Sequence, residues 1–391
     1  MANKTTEKEK KEYKAPKLTN KKKVKIEDLR ESGASVEVVG LASVSKSVQS
    51  AVIEMDRSQV RFLVDNYYQT QDQRKMADNQ VRALKQGYDK SLESSSMTEE
   101  EQTDNMEPID YVPSAMVWLA ANKRSEETQI KKMLDAYTDS DPLGQWLKAT
   151  IGIGPVIAAG LMSYFDIDKA QHFSQFWSYA GLNDNNTPWL GREKASKWVS
   201  EWMKNHPDAN KKDLGTDIVV DACADHHRTY ESSVHQAIDK KTGKITPASV
   251  QAWLAKPPYN TSLKTLCWKI GQSFLKVKNK KDSLYGRLLN TRLVYEKEKN
   301  ANGDYAEQAK RILETKKFSN QEVKKIYESG RLPDGHILAR CLRHTTKIFI
   351  AHLFEAMYYE KYGEEPPRPY AIEYLGHVDV IPPEVDYHKY F

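Results

Sequence analysis

The chain of 391 residues is 39% hydrophobic and 29% charged, with a net charge of +5 and with 8 Trp, 21 Tyr and 9 Phe; that is material for two or three domains at roughly 100–200 residues each. No run approaches the ~18 uninterrupted apolar residues of a membrane helix, and no apolar segment backs the Lys/Glu-rich start, so neither a membrane span nor a secretory leader is expected. Three widely spaced cysteines, Cys223, Cys267 and Cys341, form no disulfide framework and point to a reduced, intracellular setting.

Charge is segregated along the chain. Residues 1–30 hold eleven bases against five acids, a net +6, so the rest of the chain sums to −1. Residues 1–35 have the composition of a disordered basic tail, either a solubilising extension or an arm for nucleic acid. From about Ser45 to Tyr88 the pattern is helical, with Val52, Met55, Val60, Leu63, Val64, Tyr67 and Tyr68 at three- and four-residue steps. Residues 89–109 read as an acidic linker, and residues 91–110 carry seven acids and no base. A second helical stretch follows at 113–138. Between Asn205 and Pro258 the chain is polar and punctuated by Pro and Gly, as for helices joined by exposed connections. Amphipathic helices are predicted at 261–276 and 336–360, and the Pro-rich segment 364–391 should wrap as extended chain. Residues 262–281 hold six Lys and no acid.

The segment Trp146–Phe165 carries the most information. It reads as a helix ending near Thr150, a turn through Gly152, Ile153 and Gly154, and a second helix opened by Pro155. Glycine supplies the unusual φ of such a turn, and proline fits the first helical position because its missing N–H costs nothing there. Ala158, Ala159 and Gly160 let two helices approach, with Ile151 and Ile153 plugging the space between them. The turn should leave main-chain N–H groups at a helix N-terminus pointing outward, where the helix dipole favours a phosphate oxygen. The spacing matches the helix-hairpin-helix motif that grips nucleic-acid phosphates without reading sequence; the plainer alternative is a helix–helix turn that only packs. No Lys-Ser/Thr follows, as it would in a nucleotide-binding P-loop.

The run Ile151-Gly-Ile-Gly-Pro-Val-Ile-Ala-Ala-Gly160, with Phe173 and then Trp177-Ser-Tyr-Ala-Gly-Leu182, resembles the C-terminal domain of the insertion-sequence 110/116/902 transposases, over roughly forty residues. In that pattern a glycine hairpin is followed by an aspartate-containing stretch, here with Asp166 and Asp168, and closed by Ala180-Gly181-Leu182. The resemblance implies a DNA-binding protein of phage or mobile-element origin, in the cytoplasm or nucleoid of a bacterial host, acting in recombination or transposition. Two features of the family are missing. Val38–Val44 has Ala42 and Ser43 where a metal-binding acid of a ribonuclease-H-like strand would stand. The family's nucleophilic Ser-Gly, expected soon after Ala-Gly-Leu, is replaced by Leu190-Gly191 and an insertion; Ser196 and Ser200 lie near without that context.

Other constellations are weaker. His336, Arg340, Arg343, His344 and Lys347 fall within about a 100° arc of one helix, either a solvated basic face or one that tracks phosphates. Arg192 and Lys194 follow Trp189 after the turn Asn183–Asn186. Cys223, His226, His227 and His235 lack the spacing of a zinc site. The carboxylates Glu54, Asp56, Asp65, Glu126 and Glu127 read as ordinary helix-surface acids.

The expected protein is mainly α: a helical bundle with a central helix-hairpin-helix domain at 141–363, carrying an insertion at about 195–258. A basic tail (1–35), a helical region (36–140) and an extended segment (364–391) flank it. The expected partner is DNA, duplex or branched, with RNA a further candidate and no membrane. The expected contacts are Gly152, Ile153, Gly154, Arg192, Lys194, Lys264, Lys269, Lys276, Lys278, Arg340, Arg343 and Lys347. Catalytic residues are not identified, and Mg2+ is implied only if the protein is a nuclease. The alternatives are an active transposase or nuclease, and a non-catalytic interaction protein.

Overall fold

The computed structural model describes residues 45–85, 114–183, 189–226, 230–367 and 380–391. The basic tail 1–35, Val38–Val44, the acidic linker 89–109, Asp184–Asn186, His227 and the stretch 368–379 lie outside these residues. Among the described residues there are fifteen α-helices and no β-strand. The chain divides into two compact units, Met1–Tyr137 and Thr138–Phe391.

The first unit contains α1 (Lys46–Ile53), α2 (Arg57–Lys85) and most of α3 (Ser114–Asp139). Helix α2 starts where it does because Asp56 accepts from the backbone N–H groups of Ser58 and Gln59, at 2.7 and 2.9 Å. Val60, Val64, Tyr67, Ile130 and Leu134 are buried. Arg74 pairs with Glu127, and Arg124 lies 3.1 Å from Asp78. Rising numbers on α2 thus meet falling numbers on α3, which makes an antiparallel helical hairpin. Asp56 is a helix cap and Glu127 a rung of this hairpin, so both carboxylates have structural work.

The second unit begins with the predicted hairpin, α4 (Pro142–Ala149) and α5 (Pro155–Tyr164). Helix α5 buries Val156, Ala158, Ala159, Leu161 and Met162, so it has no wet face and sits inside the unit. A short 3-10 turn (Ile167–Lys169) leads to α6 (Phe173–Tyr179), which ends at Gly181 with φ +66°. A Cβ there would lie 2.7 Å from the Tyr259 ring, so the closing Ala-Gly-Leu is a helix stop with an aromatic ring pressed on it. The lysine-rich helix α11 (Thr261–Lys276) has the predicted bounds, and the last helix, α15 (Asp334–Tyr362), runs two residues beyond them at each end. Helix α15 packs against α4, α6, α11 and α12 (Leu284–Ala301) and is the spine of the unit.

Helices α7 (Arg192–Asn205), α8 (Asp217–His226), α9 (Tyr230–Ala237) and α10 (Pro247–Ala255) occupy the stretch expected as an insertion. They enclose a core of their own around Val199, Trp202, Ile218, Val219, Val250 and Trp253. Three helices that the sequence reading did not assign, α12, α13 (Ala306–Thr315) and α14 (Gln321–Glu328), pack with α15 around Leu289, Tyr305, Tyr327, Leu332 and Ile337.

The C-terminal residues form a strap across the second unit. The Trp146 indole N–H donates to Val385 O at 2.8 Å. His352, 3% exposed, donates from Nε2 to Ile381 O and accepts at Nδ1 from the Tyr285 hydroxyl, both at 2.8 Å. This pairing requires a neutral imidazole, and burial pushes the His352 pKa down to about 4, against the hydrogen bond to Ile381. On the same helix, burial and then the neighbouring Glu365 push Glu355 up to about 7.

The two shifts act in opposite directions. The His352 contribution is present above 6.5 and is lost as pH falls towards about 4. The Glu355 contribution is present below 4.5 and is lost as pH rises through about 7. Each is worth about 3 kcal/mol over its window. Glu355→Gln should therefore lose melting temperature more steeply than the wild type between about pH 7 and about pH 5. Parallel curves for the two proteins would exclude this balance.

Candidate nucleic-acid interface

The hairpin turn is set by three local features. Asp141 caps α4, accepting from Leu143 N at 2.9 Å, and Pro142 and Pro155 occupy first helical positions. Gly152 has φ +101°, a conformation that side-chain-bearing residues rarely adopt. A Cβ at Gly152 would lie 3.3 Å from the Phe274 ring and 3.5 Å from the Val277 side chain. The Ser273 hydroxyl donates to Gly152 O, which fastens the turn to the C-terminal end of α11. Ile153 is the buried plug that was expected, whereas Ile151 is only half-buried.

The turn's N–H groups are less free than expected. Ile153 N donates to Thr150 O at 3.0 Å. Ile151 N donates to one carboxylate oxygen of Glu384 at 2.6 Å, and the other oxygen accepts from Leu284 N, also at 2.6 Å. Leu284 is the first residue of α12, so Glu384 sits at a helix N-terminus as well as at the hairpin. The junction therefore already holds one anion, supplied by the chain's own strap. What stays open is the start of α5: no side chain caps it, and a Cβ on Gly154 would meet nothing within 4 Å.

The lysines fall into two groups along α11. Val277, against Gly152, is flanked by Lys276, which is exposed, and Lys278, which is partly exposed; exposed Lys280 and Lys281 follow. These belong to the hairpin end. Lys264 lies twelve residues earlier, about 18 Å along the helix, with its ammonium 4.0 Å over the Tyr259 ring. Tyr259 also meets Trp189 edge to face at 6.3 Å, just ahead of exposed Arg192 and Lys194 on the first turn of α7. Lys269 is partly exposed between the two groups.

The basic arc of α15 is not a solvated face. Arg340 bonds from Nε to Glu296 at 3.1 Å and from Nη1 to Gln308 at 3.2 Å, and lies over the Tyr305 ring. Glu296 is 1% exposed, and a carboxylate buried to that degree needs cations close by. Burial opposes its ionisation, but Tyr305, Arg292 and Arg340 outweigh that and hold its pKa below the usual range. His336 and His344 are pushed down, chiefly by burial. Lys347 lies over Trp177 at 4.7 Å, and Trp177 donates to Lys347 O. Arg343 is the exposed member of the set. Periodicity placed these residues on one face, but only the partner helices determine what covers it.

Cys223 is buried in the core of the insertion, and His226 meets Trp198 edge to face. Among the described residues no group of three His, Cys, Asp or Glu is arranged to hold a metal ion. Asp168 of the expected aspartate stretch pairs with Lys361, and Asp166 caps the 3-10 turn. The Ser200 hydroxyl bonds to Ser196 O, a helix-surface contact. No helix among the described residues is long and apolar enough to cross a membrane. No protein family, curated protein or solved structure matches the chain.

Proposed function

We propose that the protein binds nucleic acid through backbone phosphates, gripping duplex or branched DNA at the hairpin end of α11 in the manner of a transposase-like DNA-holding module. The observation that carries this reading is the packing of Gly152 on Phe274 and Val277. It joins an uncapped helix N-terminus, at Gly154, to the run Lys276, Lys278, Lys280 and Lys281. A helix start and a cluster of ammonium groups both favour phosphate oxygens, and neither reads bases. The Glu384 carboxylate already takes up two main-chain N–H groups beside the same turn, so the donors this reading uses are those at the open start of α5.

Gly154→Asp is the informative test. Gly154 has φ −103° and open space around its Cβ position, so aspartate fits and should cap α5, holding or raising the melting temperature. The new carboxylate would face the phosphate, and duplex affinity should fall by about tenfold or more, equivalent to ~1.4 kcal/mol. Gly154→Ser supplies the cap without the charge and should keep its affinity. Lys276→Ala/Lys278→Ala should lower the salt slope of binding by about two. Unchanged duplex binding in Gly154→Asp and in the double lysine variant would reject the hairpin as the contact.

A further inference from the structure

The outward face of α11 carries a feature that phosphate gripping does not use. Trp268 is 60% exposed, more than Trp118 at 51% or Trp189 at 43%. The buried side of the helix is occupied by Leu263, Leu266, Cys267, Ile270 and Phe274. On the opposite side Lys264, Trp268, Gln272 and Lys276 follow one another at four-residue steps, each about 6 Å along the axis, with exposed Thr265 between them. An indole left this open forgoes its burial energy. The surrounding lysines, threonine and glutamine do not form the apolar core that a protein–protein interface places around an exposed Trp. No acid occurs from 262 to 281, so the surface is complementary to a polyanion.

From this we infer that α11 is a stacking platform for unpaired nucleotides. A base lies flat on the Trp268 indole, and the ammonium groups of Lys264 and Lys276, one and two turns away on either side, take the flanking phosphates. Tyr259 holds the Lys264 ammonium against its ring by the contact described above and so fixes where that charge lies. Every base offers a π-face, so such a site is indifferent to sequence and selective for strand state; a duplex hides its bases from it. The inference rests on the reading that the protein binds nucleic acid, and it adds the substrate class: DNA with single-stranded or splayed nucleotides next to a duplex.

The test uses the full chain and three dye-labelled probes: oligothymidine, an abasic strand of equal length, and a blunt duplex. Binding is read by fluorescence anisotropy. Wild type should bind oligothymidine about tenfold more tightly than the abasic strand. Trp268→Ala should erase that difference and leave duplex affinity unchanged, and Trp268→Phe should restore most of it. Because Trp268 is exposed, these variants do not disturb the core. Equal affinity of the wild type for the thymidine and abasic strands, or an unaltered preference in Trp268→Ala, would overturn the proposal. So would Trp268-dependent binding to anionic lipid vesicles with no preference for oligothymidine. Gly154→Asp, run alongside, separates the two readings: it should weaken the duplex while the thymidine-over-abasic preference persists. If Gly154→Asp leaves duplex binding intact, the hairpin reading fails, and the Trp268 result is judged on its own.

Discussion

Removing Arg292 and Arg340 together should cost about 3–5 kcal/mol of stability. Glu296 lies inside the packing of α12, α13 and α15 at 1% exposure, and its oxygens are met by Arg292 Nε at 2.9 Å, Arg340 Nε at 3.1 Å and the Tyr305 hydroxyl. With both guanidinium groups gone, a carboxylate out of reach of water retains one neutral donor. It must then take up a proton, or the helices must part to admit water. Either single variant leaves one cation in place and should cost well under half as much, so the double variant should lose more than the sum of the two. Urea unfolding of the two single variants and the double variant measures this directly. Nucleic-acid affinity supplies an independent readout. Arg340→Ala should leave it unchanged, since this guanidinium is committed to Glu296 and Gln308; a clear weakening in a folded Arg340→Ala protein would restore Arg340 as a phosphate contact.

Trp146→Ala is the second large effect expected, about 3–5 kcal/mol. Trp146 is fully buried on α4 and its indole N–H holds the strap at Val385 O. Truncation therefore opens a cavity and frees one anchor of the C-terminal segment. Trp146→Phe keeps most of the volume and loses the hydrogen bond, at about 1–2 kcal/mol. Limited proteolysis gives a second signature. In Trp146→Ala the segment 380–391 should be cleaved much faster than in the wild type, while the helical core survives. If cleavage rates match, Val385 is not an anchor that matters.

The local features of the sequence proved sufficient for the helices of the hairpin and for α11. Thr150, Gly152, Gly154 and Pro155 each have a backbone preference that acts within a few residues, and the apolar spacing from Leu263 to Phe274 is regular. The insertion was legible as helices, but not as a body with its own core, because its closure depends on pairs such as Trp202 and Asp221. Helices α13 and α14 carried a signal that could have been used, since Ala309, Ile312 and Leu313, and then Val323, Ile326 and Tyr327, recur at helical spacing. What the sequence could not reveal were the long-range partners. Arg340 meets Glu296 across 44 positions and Ile151 meets Glu384 across 233. An isolated glutamate in a Pro-rich tail offers no local sign that it will seat on a distant turn. The basic arc of α15 shows the same point: amphipathicity identifies two faces, and only tertiary packing decides which of them reaches solvent.

The insertion leaves the bundle and returns to it at nearly the same spot. Leu190 N donates to Leu254 O at 2.9 Å as the chain enters and leaves α7–α10, and Asn260 N donates to Tyr179 O at 2.9 Å where α6 hands over to α11. The ends of a long excursion are thus pinned side by side. Because those ends meet, the length of the chain between α6 and α11 places little demand on the spacing of the helices on either side. A short Gly-Ser bridge from Leu182 to Tyr259 should keep the hairpin and the α11 lysines in their present register, with the bundle and its appendage as separable parts of one chain.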